Sequence, residues 1–435
     1  MHPKALLEAC TELVKQALTF QHPADAVLSR FFRQNGKSAY GSRERAVLAE
    51  TVYNVLRHKL RFEHFAPSGS GPRERRLAIL GFAMQLCDQR PGQPGATDFL
   101  KSALNDTEKS WLDACLSVSV SDLLERHRYS LPEWLDTALR QSCPDPAEFQ
   151  ALAESLLQTA LLDIRVNTYT DRRDDVQKEL ELLGLKSQPT PYSPWGLRLQ
   201  AKPALTRTDA FARGAIEVQD EGSQLLAALL DPKRGEMVVD FCAGAGGKTL
   251  ALGAQMRSTG RLYAFDTSAH RMDALKPRLA RSKLSNVHPG VIAHERDERI
   301  KRLSGKIDRV LVDAPCSGLG TLRRNPDLKW RQSPQAVAEM QARQIAILSA
   351  ASKMLKSGGR LVYATCSLLP AENEDVVTAF EAQHPQFRPL QAIEVLQGLK
   401  IPQSETLCSA DGRFLRLWPQ RHATDGFFAS IWQAS

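Results

Sequence analysis

The chain contains 435 residues, of which 43% are hydrophobic and 24% are charged, a balance that is ordinary for a folded globular protein. It excludes a largely disordered chain, a fibrous repeat and a small scaffold held together by disulfides. Lys and Arg outnumber Asp and Glu by 57 to 49, giving a net charge of +8. This moderate basic excess is compatible with a nucleic-acid partner but does not establish one.

The compartment follows from hydropathy and cysteine usage. No run of about 18 apolar residues occurs that could span a membrane, and Glu8, Glu12 and Lys15 interrupt any apolar core of a signal peptide. We therefore expect a cytoplasmic monomer with no membrane partner. The eight cysteines include no C-x-x-C pair, so we expect free thiols and no metal site.

Residues 1–150 have the pattern of an all-helical region. Apolar residues recur at helical spacing, as in Leu13, Val14 and Ala17, and no stretch alternates with a period of two. Residues 1–80 carry 13 Lys and Arg against seven Asp and Glu, so most of the excess positive charge lies here. A solvated helix face would explain that charge as well as a nucleic-acid surface would.

Residues 151–230 predict a small α+β region. The elements, in chain order, are a strand at Asp163–Thr168, an amphipathic helix at Asp171–Leu183 stopped by Gly184, a loop marked by Pro189, Pro191 and Pro194, and a short strand at Gly196–Leu199.

Residues 231–435 alternate strands with helices, which predicts a doubly wound parallel sheet with helices on both faces. The predicted strands are Met237–Cys242, Arg261–Phe265, Val287–His294, Ile307–Val312 and Leu361–Thr365, with a helix from Thr249, a long helix at Pro334–Leu355 ended by Gly358 and Gly359, and a closing antiparallel hairpin of Phe414–Trp418 and Gly426–Trp432. Ligands of such sheets bind beyond the carboxyl ends of the strands.

A glycine-rich turn lies in Asp240–Thr249 (DFCAGAGGKT), and two interpretations of it compete. Its ending fits a P-loop, and Asp313 would serve as the acid of a second nucleotide-binding strand, but Cys242 stands where the first P-loop glycine belongs. Alternatively, the turn binds a nucleoside cofactor. Asp266, which lies 20 residues beyond Gly246 at the end of the next strand, would then accept hydrogen bonds from ribose hydroxyls.

Two cysteines follow the ends of predicted central strands. Cys316 lies in Asp313–Gly318 (DAPCSG) and Cys366 in Ala364–Ser367 (ATCS), and a serine follows each. A single cysteine is usually a buried apolar residue, but two at one functional edge favour a chemical role. From the residues alone, either thiol could be the nucleophile.

Four segments in this order resemble the Sun/Nol family of S-adenosylmethionine-dependent RNA cytosine-5 methyltransferases: FCAGAGGKT, FDTS, VLVDAPCSGLGTLRRNPDLKWR and YATCSLLPAENEDVV. The flanking segments VQDEGS and DGFF are also similar, so the resemblance covers about residues 160–435. The helical region resembles a NusB-like RNA-binding domain at Arg43–Ala46 and Tyr53–Arg57. Together these resemblances imply a bacterial enzyme that methylates a cytosine of small-subunit ribosomal RNA.

The resemblance implies a role for each catalytic candidate. Cys366 would attack carbon 6 of the cytosine, and Cys316 would assist release of the product. DNA enzymes of related chemistry use a Pro-Cys thiol instead, which would favour Cys316 as the nucleophile. Asp313 would contact nitrogen 3 and the amino group of the base, with a helix cap as the alternative. Lys248 would reach the base or the cofactor, with plain anion binding as the alternative.

The resemblance also implies the cofactor, S-adenosyl-L-methionine, and the residues that bind it: Cys242, Ala243, Gly244, Ala245, Gly246, Gly247, Lys248, Asp266, Asp297 and Asp313. Asp297 is a candidate for the adenine amino group, although Arg296 and Glu298 beside it also fit a charged surface run. Ala245 stands where the family often has proline, so we expect a more flexible loop.

A basic cluster follows the Cys316 loop and suits RNA phosphates; its members are Arg323, Arg324, Lys329 and Arg331. Trp330 among them could stack on a base or anchor the loop in a core, and the two roles are equally favoured.

The predicted organisation is an all-helical RNA-binding domain (1–150), a small α+β RNA-binding segment (151–230) and a methyltransferase domain (231–435). Two other functions remain open, a P-loop NTPase and a non-catalytic RNA-binding protein with a methyltransferase fold.

Overall fold

The structure is a computed structural model that describes residues 2–36 and 39–435. The chain divides into two compact units. The helical unit comprises residues 1–159 and 322–333, and the sheet unit comprises residues 160–321 and 334–435. No helix in the described part of the chain is both long and apolar enough to cross a bilayer.

The helices are α1 Pro3–Ala17, α2 Ala24–Gln34, α3 Ser42–Arg57, α4 Lys59–Phe65, α5 Arg73–Gln89, α6 Asp98–Lys101, α7 Asp106–Ser117, α8 Glu125–Tyr129, α9 Glu133–Ser142, α10 Pro146–Leu156, α11 Arg173–Leu182, α12 Asp209–Ala212, α13 Glu221–Leu230, α14 Gly247–Gln255, α15 Ala269–Ser282, α16 Glu298–Lys301, α17 Leu328–Arg331, α18 Pro334–Ser352, α19 Glu374–Gln383, α20 Ala392–Gly398 and α21 Pro419–His422.

The strands are β1 Leu162–Val166, β2 Ser187–Pro189, β3 Gly196–Leu199, β4 Ile216–Val218, β5 Met237–Asp240, β6 Arg261–Asp266, β7 Val287–Val291, β8 Ile307–Asp313, β9 Leu355–Thr365, β10 Phe387–Leu390, β11 Leu415–Leu417 and β12 Phe427–Ala434.

The helical unit is built around α1, α3 and α5, whose apolar faces share one core. Gly81 lets α3 and α5 approach closely, since a β-carbon there would lie 2.7 Å from the carbonyl oxygen of Thr51. The first strand of the described chain begins at Leu162, so the all-helical prediction for residues 1–150 is confirmed.

Residues 322–333 follow the Cys316 loop in sequence but pack in the helical unit, at the carboxyl end of α3. The ammonium of Lys329 donates to the carbonyl of Arg57 over 2.8 Å, and the indole N–H of Trp330 donates to that of Leu56 over 2.7 Å. N–H donors suit this position because the last carbonyls of a helix have no partner within the helix. Burial, with the neighbouring positive charge of Arg57 and Arg61, holds the pKa of Lys329 well below its ordinary value.

The small sheet of the sheet unit is antiparallel, with strand order β2-β3-β1-β4. The structure confirms the predicted strands at β1 and β3 and the predicted helix at α11. Pro189, assigned to a loop from the sequence, instead lies in the edge strand β2 opposite Leu197. Proline is tolerated at that edge because its missing N–H faces no neighbouring strand.

The large sheet has the order β10-β12-β9-β8-β5-β6-β7, with β11 beside β12. The strands from β9 to β7 are parallel, whereas β12 is antiparallel to β9, β10 and β11. Successive residues of the central strands enter two separate cores; Val238 packs in one, Val239 in the other. Both faces are therefore buried, as the doubly wound prediction requires, and the β11–β12 pair confirms the predicted hairpin.

The long helix differs from its prediction at its carboxyl end. It ends at Ser352, and β9 begins at Leu355, so Gly358 and Gly359 lie within a strand rather than ending a helix. Gly358 has a φ of +74°, and the pairing of β8 with β9 shifts register nearby. The glycines accommodate this strand irregularity, a feature that resembles a helix stop in sequence.

Candidate active site

The carboxyl ends of β5, β6, β8 and β9 meet at one edge of the parallel sheet. Each end continues directly into a loop that carries a candidate residue, and the structure joins these loops by hydrogen bonds between side chains. The contacts are described loop by loop below.

The glycine loop after β5 is held by Asp266, at the end of β6. One oxygen of this carboxylate accepts from the N–H of Gly244 over 2.9 Å, and the other accepts from the N–H of Ser268 over 2.7 Å. Each carboxylate oxygen can accept a second hydrogen bond, and the side of Gly244 where a β-carbon would project is open space. The loop and Asp266 therefore fit a nucleoside ligand, with lone pairs available for ribose hydroxyls.

Gly246 permits the loop to turn into α14. Its φ is +83°, and a β-carbon there would lie 2.1 Å from a methyl carbon of Leu275. The carbonyl of the preceding residue, Ala245, accepts a hydrogen bond from the guanidinium of Arg278 over 2.6 Å. Arg278 also forms an ion pair with Glu217. Ala245, which stands where the family often has proline, is thus held in place by a side chain from α15.

Lys248, in the first turn of α14, pairs with Asp313 at the end of β8, with 2.7 Å between ammonium nitrogen and carboxylate oxygen. Burial lowers the pKa of Lys248, but the charge and hydrogen bond of Asp313 outweigh it, so the pKa lies above its ordinary value. Asp313 remains 29% exposed at its side chain. Its contact is with the lysine, and it caps no helix in the described structure.

Cys316 and Cys366 lie with their sulfur atoms 3.3 Å apart, and each is partly exposed. A hydrogen bond to the sulfur of Cys366, together with burial, raises the pKa of Cys316 well above its ordinary value. Cys316 therefore stays a thiol that can donate to Cys366. The charge of Lys248 also interacts with Cys366, so Cys366 lies between a thiol and an ammonium group.

Cys242 lies in the glycine loop and is chemically different from these two. Burial raises its pKa well above the ordinary value, and the charges of Asp313, Asp240 and Asp266 raise it further. A thiol that resists ionisation is a poor nucleophile. Cys242 therefore suits a structural role in the glycine loop.

Asp297 caps a helix. One of its carboxylate oxygens accepts from the N–H of Arg299 over 2.9 Å and the other from that of Ala293 over 3.0 Å. These backbone hydrogen bonds hold the pKa of Asp297 below its ordinary value. The carboxylate thus fixes the loop between β7 and α16, and its predicted contact with adenine stays a prediction.

The members of the basic cluster differ in how far they are exposed to solvent. Arg323 and Lys329 are 5% and 3% exposed, and Arg323 donates to the carbonyl of Thr159. Since phosphate contacts need accessible side chains, the predicted contacts of these two residues are not supported. Arg331 lies at the surface and pairs with Asp327 over 3.3 Å. Trp330 anchors residues 322–333 in the core of the helical unit, the second of its two predicted roles.

Two buried acids at the site were not identified as candidates from the sequence. Asp240, at the end of β5, is fully buried; one oxygen accepts from the hydroxyl of Thr249 over 2.7 Å, and the other has no partner. Burial raises the pKa of Asp240 to about 7, and the charge of Asp313 contributes. Glu372, six residues after Cys366, is also fully buried and contacts both cysteine loops. For Asp240 the available signal was a charged residue inside an apolar stretch (MVVDFC), whereas Glu372 lies in an acidic stretch (PAENED) that gave no such signal.

A doubly wound sheet with this strand order, one antiparallel strand beside β9 and a glycine loop tied to an acid on the next strand defines a Rossmann-like methyltransferase. Comparison with known proteins agrees. A family described as "16S rRNA methyltransferase RsmB/F" matches residues 227–433, and a second, described as "Methyltr_RsmF/B-like, ferredoxin-like domain", matches residues 131–206.

Relatives match most of the chain. A probable ribosomal RNA small subunit methyltransferase B from Synechocystis is 32% identical over 88% of this chain and 90% of its own length. The crystal structure of PH0851 covers 100% of this chain and 99% of its own, with a TM-score of 0.78 and 27% identity. A methyltransferase homolog from Pyrococcus horikoshii covers 73% of this chain and all of its own, with a TM-score of 0.60 and 28% identity.

The chain belongs to the RsmB/F family of ribosomal RNA methyltransferases. This confirms the resemblance seen in the sequence, and S-adenosylmethionine is the expected cofactor. Membership excludes the P-loop alternative: the glycine loop of a methyltransferase accounts for Cys242 at the position where a P-loop needs glycine.

The burial of Asp240 makes a prediction about stability and pH. Its pKa is about 7 in the folded chain and about 4 when unfolded. Between these values only the folded state holds the proton, so the free energy of unfolding should fall as pH rises, by up to about 4 kcal/mol. Asp240→Asn should remove this decline, as measured by urea unfolding between pH 4 and 8.

The exposed Asp375 provides the control, and Asp375→Asn should leave the decline in place. If Asp240→Asn and the wild type show parallel pH curves, Asp240 is ionised in the folded chain and its burial is offset by other groups.

Proposed function

We propose that this chain transfers a methyl group from S-adenosylmethionine to carbon 5 of a cytosine in small-subunit ribosomal RNA, through a covalent bond between Cys366 and the base. The observation that carries the proposal is the pair of partly exposed thiols 3.3 Å apart. They lie on the loops that follow β8 and β9, beside the Lys248–Asp313 pair.

Carbon 5 of cytosine is a weak nucleophile and must be activated. Addition of a thiolate to carbon 6 makes the ring an enamine, whose carbon 5 can accept a methyl group. S-adenosylmethionine supplies that methyl group in electrophilic form. Methyl transfer leaves S-adenosylhomocysteine. The base then loses the proton at carbon 5 to solvent, and the electron pair of that C–H bond forms the double bond between carbons 5 and 6 as the sulfur–carbon 6 bond breaks, which restores the aromatic ring and the thiolate.

The surroundings of the two thiols support Cys366 as the nucleophile. A thiolate there receives a hydrogen bond from Cys316 and interacts with the charge of Lys248. Cys316, whose pKa is raised, keeps its proton during attack. After methyl transfer, Cys316 lies within reach of the same carbon–sulfur bond and assists its cleavage.

Asp313 suits recognition of the base. Lys248 holds one of its oxygens, and its side chain remains partly exposed at the strand edge. In the proposed complex, Asp313 contacts nitrogen 3 and the amino group of the cytosine, which favours protonation of nitrogen 3 and makes carbon 6 more electrophilic. The target base must leave its stack to admit a thiol above the ring, so it lies in a loop or an exposed strand.

The remaining site residues complete the proposal. The loop Cys242–Lys248, with Asp266 on the ribose, holds the cofactor, and Asp297 contributes at the adenine end. RNA phosphates are bound by Arg324 and Arg331 and by the basic surface of the helical unit. That the relatives carry the name ribosomal RNA small subunit methyltransferase supports this choice of RNA. Both thiols and their acidic neighbours are present, which argues against a non-catalytic protein.

Cofactor binding provides the first test. Asp266→Ala removes two possible hydrogen bonds to ribose and releases the N–H of Gly244 that it holds. Affinity for S-adenosylmethionine, measured by calorimetric titration, should fall by about tenfold or more. Asp273→Ala is the control because Asp273 is exposed and pairs only with Lys276 on the same helix. Undiminished affinity in Asp266→Ala would remove Asp266 from the cofactor site.

The two cysteines should give opposite phenotypes. Cys366→Ala removes the attacking thiolate, so methyl transfer should fall to background and no protein–RNA adduct should form, even on RNA containing 5-fluorocytosine. Cys316→Ala leaves attack intact but slows release. A denaturing gel should then show a slowly migrating protein–RNA species on unmodified RNA.

Cys408→Ala is a suitable control, as this thiol lies in neither loop. If Cys316→Ala abolishes adducts and Cys366→Ala accumulates them, the roles are exchanged. If neither change reduces methylation, both thiols are structural.

RNA binding should depend on salt through accessible basic side chains. Arg324→Gln and Arg331→Gln together should weaken RNA affinity and reduce the slope of log affinity against log salt by about one per lost phosphate contact. Lys400→Gln, at an exposed site, is the control. Point changes are preferable to deleting the first 140 residues, which would strip residues 322–333 of their packing on α3. An unchanged slope would place RNA contacts elsewhere.

A further inference from the structure

A single carboxylate links the two cysteine loops. Glu372 follows Cys366 by six residues, in a short 3₁₀ turn before α19, and its side chain is fully buried. One oxygen accepts from the N–H of Ser317 over 2.7 Å, and the other accepts from the hydroxyls of Ser317 and Ser367, the latter over 2.5 Å. Each serine immediately follows one of the cysteines.

A third element joins the same carboxylate. The amide of Gln344, on α18, donates to Glu372 over 3.0 Å and to the carbonyl of Pro315 over 2.9 Å, and Pro315 directly precedes Cys316. The backbone carbonyl of Glu372 accepts from the hydroxyl of Tyr363, on β9, over 2.6 Å. Glu372 is therefore fixed from behind while its carboxylate reaches both loops.

Four donors converge on the two oxygens, which matches the number of hydrogen bonds that a carboxylate can accept. No basic side chain pairs with Glu372 in the part of the chain that the structure describes, so its carboxylate is satisfied by these hydrogen bonds. A buried carboxylate without a cation is expensive unless several aligned donors satisfy it. The buried carboxylate with this free-energy cost, Glu372, lies beside the two thiols.

We propose that Glu372 is the positioning residue of this active site: it sets the distance between the sulfur atoms of Cys316 and Cys366 by holding the serines next to them. The loops also contact each other directly, since the N–H of Gly320 donates to the carbonyl of Cys366 over 2.8 Å and the two serine hydroxyls lie 3.4 Å apart, but Glu372 contacts both loops from outside them. Parallel strands fix where the two loops begin, but not where Cys316, three positions beyond the end of β8, lies relative to Cys366, one position beyond the end of β9. The proposal rests on the two-thiol mechanism proposed above.

The prediction concerns geometry first. Glu372→Gln keeps the side-chain size but replaces one acceptor oxygen with an amide N–H₂, so two of the four donors lose their acceptor whichever way the amide turns. Bridging of Cys316 and Cys366 by dibromobimane, which becomes fluorescent after reacting with two thiols, should slow by about tenfold or more. Peptide mapping assigns the bridge, and single alkylation of Cys408 should not change.

Catalysis should follow the geometry. The turnover number should fall by about tenfold or more, since a displacement near 1 Å can cost about a hundredfold, while KM for RNA and affinity for S-adenosylmethionine stay near wild type. Glu372→Asp, which keeps the charge but retracts it, should lie between Gln and the wild type. Asp375→Asn removes an exposed acid three residues away and should match the wild type.

If Glu372→Gln fails to fold, the double variant Ser317→Ala with Ser367→Ala removes the two hydroxyl contacts at little cost in volume and should show the same slower bridging. Unchanged bridging and turnover in a folded Glu372→Gln or in the double variant would overturn the proposal. If the wild type forms no adduct with RNA that contains 5-fluorocytosine, the proposed function fails, whereas the bridging rate still decides whether Glu372 positions the thiols.

Discussion

The site depends on the parallel pairing of β5, β6, β8 and β9. Parallel strands that are buried on both faces must end at a common edge, where their backbone leaves the sheet and side chains can meet a ligand. The alternating assignment of Val238 and Val239 to two separate cores shows that both faces are closed by helices. The glycine loop, Asp266 and the two cysteine loops are brought together by this constraint, despite lying up to about 120 residues apart in sequence.

Residues of the same type at this edge differ in their electrostatic surroundings. Three acids, Asp240, Asp266 and Asp313, share the edge with one lysine, which pairs with the most exposed of them. The thiol among the acids, Cys242, resists ionisation. The thiol near the lysine, Cys366, receives a hydrogen bond from a second thiol instead. The same residue type thus has different electrostatic surroundings in the glycine loop and in the loop after β9.

The helical unit shows how a basic sequence can serve internal packing. Residues 322–333 are rich in Lys and Arg, yet Lys329 and Trp330 donate to the last carbonyls of α3, and Arg323 is buried beside them. The last carbonyls of a helix have no partner within the helix, so part of the basic character of this segment is used within the unit. Arg324 and Arg331 are left as the members of the cluster suited to RNA.

The sequence by itself determined the fold class, most strand and helix positions and the loops that carry the site. These depend on local features: the period of apolar residues, glycines where a turn needs a positive φ, and a strand end followed by a polar motif. The prediction that the long helix is ended by Gly358 was wrong, because a glycine in an irregular strand resembles a helix stop in the local sequence.

Only the tertiary structure decided which side chains share an environment. The two reactive thiols are 50 residues apart, and Lys329 lies 272 residues from the carbonyl it caps. The burial of Glu372 and the raised pKa of Cys316 likewise arise from contacts with other elements. Burial, charge pairing and hydrogen-bond partners are properties of the packed chain, because desolvation and Coulomb interactions act through space and do not follow the order of residues.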